Sequence, residues 1–314
     1  MRSRSTWLKV AITSIIFVFI FKRVDFSETI SSFHQIRVSL FAIAATAGLL
    51  SLIVQTDKWR FLLQQAEPEA KLIDGLRSFF CGMALGIVSP GRAGEFGRAI
   101  FVKSDRRTLI VEMTVVDKIS SVTAIFGLSA PTFWYRQQFA AMPALIATAL
   151  ALSGVCIFWN SIRSFGKRAI HRKKWAERIR SRLGLSQQHD LLYTPWIGTR
   201  TLLWAGIMYA LVIVEFYLLI LSFEAGGATQ PIPFGPVAAV YPAILLINLI
   251  PITFAGLGMR EGAAILLLQS YNVSEAAAVN SAFLLFFLNI FIPSLVGGLW
   301  ILIDEGKPHT RPPA

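Results

Sequence analysis

Long runs without a charged residue constrain this chain more than any other feature. Val38 to Thr56, Phe139 to Trp159 and Ala276 to Ile303 contain no Asp, Glu, Lys or Arg. A hydrocarbon core about 30 Å thick is crossed by roughly 20 apolar helical residues, so each run suffices for one span. Thr201 to Phe223 has the same character apart from Glu215, and Thr108 to Trp134 is interrupted by Glu112, Asp117 and Lys118. Trp7 to Phe21 reads as a retained first helix, with Lys9 reaching to the headgroups. Lys22, Arg23 and Asp25 follow it, where a signal peptide would show a small-residue cleavage site. Only 15% of the 314 residues are charged and 54% are hydrophobic, against about 25% charged in ordinary globular chains. That balance excludes a disordered chain, a coiled coil and an ordinary soluble enzyme. The expected fold is an all-α polytopic integral membrane protein with six to eight transmembrane helices, forming one domain over residues 1–314.

Two apolar stretches fit a simple span badly. Ser78 to Gly91 offers only roughly 21 Å of uncharged helix. Ala225 to Met259 is too long for one helix and is broken by Pro231, Pro233, Pro236, Pro242 and Pro251. Each ends in a Gly/Pro segment followed by Arg and Glu: Ser89 to Arg98, and Pro251 to Glu261. The pair reads as a weak internal repeat, with halves at about 1–160 and 195–305 joined by a basic loop over 160–200. Matching short, Gly/Pro-interrupted segments in two halves point to a transporter site. Lys and Arg counts set the orientation. Asn160 to Arg200 holds ten basic and two acidic residues, and Gly91 to Arg107 five basic ones, whereas Glu224 to Pro236 has none. These signs agree if both termini are cytoplasmic and the two broken segments are re-entrant from opposite sides, giving inverted-repeat halves. Eight full spans is the alternative.

The formal charge of +12 fits basic cytoplasmic loops facing anionic lipid, so no nucleic-acid partner is expected. Two cysteines and four histidines are scattered. They form no metal-ligand spacing, and there is no Walker motif. No catalytic residue, metal or cofactor is therefore expected. Ionisable residues inside a membrane cost roughly 2.5–3.5 kcal/mol each on insertion scales and are kept where they pair or meet substrate. On that ground the candidate substrate-binding residues are Arg92, Glu95, Arg98, Asp117, Lys118, Glu215, Arg260 and Glu261. Asp117 lies roughly 14 Å along its helix from Thr108, near mid-membrane. It requires a cation from Arg92, Arg98 or Arg260. Adjacent helical residues diverge, so Lys118 should pair across helices instead. Arg92 and Arg260 have the fork to hold a phosphate, helped by broken helix N-termini. The other reading is that these charges only brace the broken helices. Ser274 should cap the last helix from Glu275. Lys167 to Arg182 fits either an amphipathic helix on anionic lipid or a solvated loop.

The pattern Pro90-Gly91-Arg92-Ala93-Gly94-Glu95-x-x-Arg98, then Asp117-Lys118, then Pro251 and Ala255-Gly256-Leu257-Gly258-Met259-Arg260-Glu261-Gly262, resembles the lysylphosphatidylglycerol synthase transmembrane region family, also called UPF0104 membrane proteins. The resemblance covers nearly the whole chain. Where the family usually shows Asp-Arg, this chain has Asp117-Lys118, which keeps the charge and loses the planar fork. The resemblance implies a lipid role, since in the best-understood relatives this region moves a modified phospholipid between leaflets. The soluble aminoacyl-transferase domain of those relatives is not expected here, because the sequence stops at Ala314. The first expectation is a flippase-like protein of the inner membrane, with an anionic phospholipid or lipid-linked headgroup as partner. The alternatives are a membrane enzyme in glycolipid, polyprenyl-phosphate sugar or hopanoid synthesis, and an accessory subunit to such an enzyme. A homo-oligomer or a biosynthetic enzyme partner is compatible with each.

Overall fold

A computed structural model describes residues 36–135, 139–170, 193–224, 231–249 and 258–305. The first expected helix, residues 251–257 of the second break and most of the basic stretch after Ile170 lie outside the described residues. Those described form helices and connecting turns, with no strand among them. In chain order they are α1 (Val38–Ala66), α2 (Leu72–Val88), a 3-10 segment (Pro90–Phe101) and α3 (Arg107–Tyr135). Then come α4 (Met142–Ile157), α5 (Trp159–Ile170), α6 (Pro195–Phe223), α7 (Phe234–Asn248) and α8 (Met259–Leu268). The last described elements are α9 (Glu275–Phe286), a π-turn (Phe287–Phe291) and α10 (Ile292–Glu305).

Four helical stretches among the described residues are long and apolar enough to cross a membrane: Val38–Ala66, Phe139–Ile157, Pro195–Phe223 and Glu275–Ile303. The 29-residue α3 is as long, but its three charges dilute its apolar character. Each of those charges has an ion partner. Glu112 meets Arg163 of α5 at 2.7 Å, Asp117 meets Arg98 at 2.9 Å, and Lys118 meets Glu95. Three hydroxyls along α3 are satisfied within the helix. Thr114 donates to the Ile110 carbonyl, Thr123 to Ile119 and Ser129 to Ile125, so none needs water.

The long helices turn large apolar side chains outward, including Leu49, Leu50, Ile53, Leu150, Leu203, Leu299 and Leu302. A soluble protein would bury such a belt; here it is the surface that meets lipid tails. Inside, one core gathers Trp59, Leu62, Phe79, Met83, Ile110, Met113 and Val116 from α1, α2 and α3. A second gathers Phe216, Leu219, Tyr241, Ile244, Ala264, Leu268 and Leu285 from α6 to α9. α6 packs along α1 between the two cores.

A pair of shorter helical pieces flanks or forms each motif. In the first, the 3-10 segment folds straight back along α2. Gly94 comes so close that a Cβ there would stand 2.1 Å from the Leu85 carbonyl oxygen. In the second, α7 and α8 pack on each other on either side of the undescribed residues 250–257. Ser274 caps α9 as expected, accepting from the Ala277 amide at 3.1 Å.

The structure differs from the sequence reading in two places. α1 runs ten residues beyond Thr56, because nothing in Asp57–Ala66 breaks a helix and Trp59, Leu62, Leu63 and Ala66 continue its buried face. The start of the expected basic loop is helical as α5, which is tied to α3 through Arg163 and Glu112.

Candidate functional site

The reversal after α2 creates the site. Ser89 ends the helix, and Gly91 and Arg92 then both take left-handed backbone angles, with φ of 61° and 59°. That conformation is easy for glycine and costs roughly 1–2 kcal/mol for arginine. Ser89 holds the turn twice: its carbonyl accepts from the Arg92 amide at 3.2 Å and its hydroxyl from the Gly94 amide at 2.6 Å. The returning segment lays Glu95 and Arg98, one turn apart, against two glycines of α2. A Cβ at Gly86 would meet Glu95 Cγ at 2.7 Å, and one at Gly82 would meet Arg98 Cγ at 2.4 Å. These glycines clear the space in which two charged side chains are buried.

Arg98 lies at the centre of a buried charge cluster. It is 1% exposed. Nη2 donates to Glu95 Oε2 and Nη1 to Asp117 Oδ2, both at 2.9 Å. Its Cζ lies 4.6 Å from the Trp59 ring centroid and 5.0 Å from that of Phe79, a desolvated cation–π arrangement. Trp59 is oriented for this by donating its indole N–H to Ser78 Oγ at 2.8 Å.

Around Arg98 stand three more cations. Lys58 Nζ lies 2.9 Å from Asp117 Oδ1, with its remaining donors directed to Ser120 and Ser121. Lys118 pairs with Glu95. Arg92 Nε lies 2.6 Å from Glu95 Oε1, an ion contact not aligned as a hydrogen bond. Asp117 thus has the cation it required, and Lys118 pairs across elements. The cluster holds four cations, Lys58, Arg92, Arg98 and Lys118, against two carboxylates, Glu95 and Asp117, for a net charge of +2. Burial is divided unevenly. The Lys58 and Arg98 side chains are 1% exposed, whereas those of Arg92 and Lys118 are each 35% exposed. Tyr209 of α6 stands beside Ser121 and within electrostatic reach of Arg92.

At the second break, Arg260 is buried at the start of α8, with Cζ 4.5 Å from the Phe286 ring centroid. Its Nε and Nη2 hydrogen-bond to nothing among the described residues. The nearest Glu261 oxygen is 3.9 Å from Nη2. Glu261 is engaged elsewhere, its Oε2 accepting from the Gly258 amide at 2.7 Å and closing the first turn of α8. Arg92 lies within electrostatic reach of Arg260.

The structure therefore brings Arg92, Glu95, Arg98, Asp117 and Lys118 into one cluster and sets Arg260 across from it. Glu261 serves a helix end. Glu215 lies apart, hydrogen-bonded to Asn289 of the π-turn. Lys58 was missed by sequence reasoning, because a search for uncharged runs stops at Asp57. The helical spacing of Trp59, Leu62, Leu63 and Ala66 could have carried α1 past it.

A family model described as the lysylphosphatidylglycerol synthase TM region matches residues 6–297. A bundle of apolar helices around buried ion pairs defines an integral membrane protein, and the chain belongs to this family. It is also similar to a UPF0104 membrane protein of Pyrococcus horikoshii, 21% identical over 306 residues, covering 88% of this chain and 90% of the relative.

Proposed function

We propose that the protein binds the anionic headgroup of a phospholipid or lipid-linked molecule between its two motif regions and passes it from one leaflet to the other. The observation that carries this reading is the net charge of +2 in the cluster. Bracing alone needs equal numbers of opposite charges, which the buried Lys58 and Arg98 already give Glu95 and Asp117; the partly exposed Arg92 and Lys118 are the surplus, and an anion completes it. A phosphate does so. Arg92 and Lys118, the half-exposed members, and Arg260, with donors to spare, would grip it by charge-assisted hydrogen bonds. Arg98, Lys58, Glu95 and Asp117 form the frame that holds them. The family's name supports a lipid as the cargo. Reconstitution into liposomes with labelled phosphatidylglycerol tests this: leaflet exchange is expected. Headgroup turnover would favour a membrane enzyme, and neither result would favour an accessory subunit.

Alternating access around a central site requires the two motif hairpins to enter from opposite sides, in an inner membrane with both termini cytoplasmic. A cysteine at Ser164, in the basic α5 region, should then label only from the cytoplasm. One at Thr229, outside the described residues, should label only from the exterior. Labelling of both from the same side would remove the inverted arrangement.

A further inference from the structure

Glu215 takes no part in the cluster above, and it is completely buried. Its Oε2 accepts from Asn289 Nδ2 at 2.7 Å, and the Asn289 Oδ1 accepts in turn from Ser51 Oγ at 3.3 Å. Its Oε1 has no hydrogen-bond partner among the described residues. The carboxyl presses on α1 where Gly48 leaves room, since a Cβ there would be 2.4 Å from Oε1. The groups facing it are Gly48 and Ser51 of α1, Asn289 of the π-turn, and Tyr241 of α7 within electrostatic reach. Among the described residues no Lys or Arg pairs with it. The cations on α1 and α3, Lys58 and Lys118, are held by Asp117 and Glu95.

A bare carboxylate in such a place has neither water nor a counter-ion, so the neutral acid is much the less costly form. Asn289 donates to one oxygen and the other carries the proton. A bound sodium ion would call for oxygen ligands from every side, yet Asn289 offers Glu215 its amide nitrogen. The placement in a π-turn is relevant too, because such turns recur at functional sites and can shift register. We propose that Glu215 and Asn289 form a proton-binding site, separate from the headgroup cluster, whose occupancy is coupled to that cluster through α1. That one helix carries Gly48 and Ser51 against the Glu215–Asn289 pair and Lys58 against Asp117. Release is simple dissociation: the Glu215 O–H bond breaks, the proton passes to water when the site opens, and the carboxylate remains until reprotonated from the other side. Movement of that shared helix makes headgroup binding and proton binding assist each other.

The coupling rests on the leaflet-exchange reading, but the proton site does not, and two measurements separate them. Infrared titration of the protein in lipid nanodiscs should show a protonated-carboxyl band at neutral pH that is missing in Glu215→Gln. The amide can still accept from Asn289, so a near-wild-type melting temperature verifies the fold. Absence of that band, or its survival in Glu215→Gln, would overturn the inference whatever the transport result. In liposomes, a one-unit pH gradient should drive labelled anionic lipid toward an asymmetry of up to about tenfold, for one proton per lipid. Glu215→Gln should abolish that asymmetry. Exchange driven by a sodium gradient, or indifferent to pH, would overturn the coupling. No exchange under any gradient would remove the leaflet-exchange reading, and the infrared result would still decide the proton site.

Discussion

Arg98→Met will destabilise the protein more than any other single change in the cluster. The guanidinium donates to two buried carboxylates and lies over two aromatic rings. Methionine approximates its volume and can touch both rings, so the loss is of charge and hydrogen bonds and not of packing. Glu95 keeps only Arg92 and Lys118, both partly exposed, and Asp117 keeps only Lys58. Breaking a buried pair by removing one partner costs about 3–5 kcal/mol, a large part of a typical total stability of about 5–15 kcal/mol. The expected result is a sharp fall in detergent melting temperature and in folded yield. Lys58→Met should follow the same direction less steeply, since Asp117 would keep Arg98.

The second large effect is steric. Gly94→Ala places a methyl carbon where the Leu85 carbonyl oxygen stands 2.1 Å away, with the Leu85 carbonyl carbon at 2.4 Å. Both are backbone atoms, so no rotamer change relieves the contact. The 3-10 segment must part from α2, withdrawing Glu95 and Arg98 from their places. Overpacking of this kind costs about 1–3 kcal/mol, occasionally more, and the upper end is expected because an ion cluster moves with the backbone. Gly206→Ala is the control. Nothing lies within 4 Å of a Cβ there, and alanine is the better helix former by roughly 1 kcal/mol. Melting curves for the two variants should shift in opposite directions or, for Gly206, barely move. Equal destabilisation of both would show that Gly94 is not a contact point.

Much of this architecture is legible in the sequence, for a physical reason. The bilayer permits only helices of a given length, so apolar runs such as Val38–Thr56 and Thr201–Phe223 locate α1 and α6 directly. The motif at Pro90–Arg98 is also visible, because glycine beside proline and charge is anomalous at membrane depth. What the sequence does not display is pairing across helices. The space cleared for Glu95 and Arg98 comes from Gly82 and Gly86, which look like ordinary small residues of a membrane helix. Lys58 reads as the end of a span until Asp117 is seen beside it. Glu215 looks like another member of the charged set, yet it joins Asn289 and Ser51, whose polarity is modest and whose positions are far apart in the chain. The division of labour within the cluster is likewise a matter of burial, which charge patterns alone do not encode.

That division is the central claim, and Arg92→Lys against Arg98→Lys tests it most directly. Lysine keeps the charge and loses the planar fork. Arg98 bridges two carboxylates with two separate nitrogens, which a single ammonium cannot reproduce, so Arg98→Lys should lower melting temperature and lipid exchange together. Arg92 is 35% exposed and touches Glu95 alone among its ion partners. Arg92→Lys should therefore leave the melting temperature near wild type while exchange of labelled phosphatidylglycerol in liposomes falls by roughly tenfold, the effect of losing about 1.4 kcal/mol of phosphate contact. The contradicting result is equally plain: Arg92→Lys that melts earlier in proportion to its lost exchange, or that exchanges lipid as fast as wild type, would mean Arg92 is one more brace and holds no phosphate.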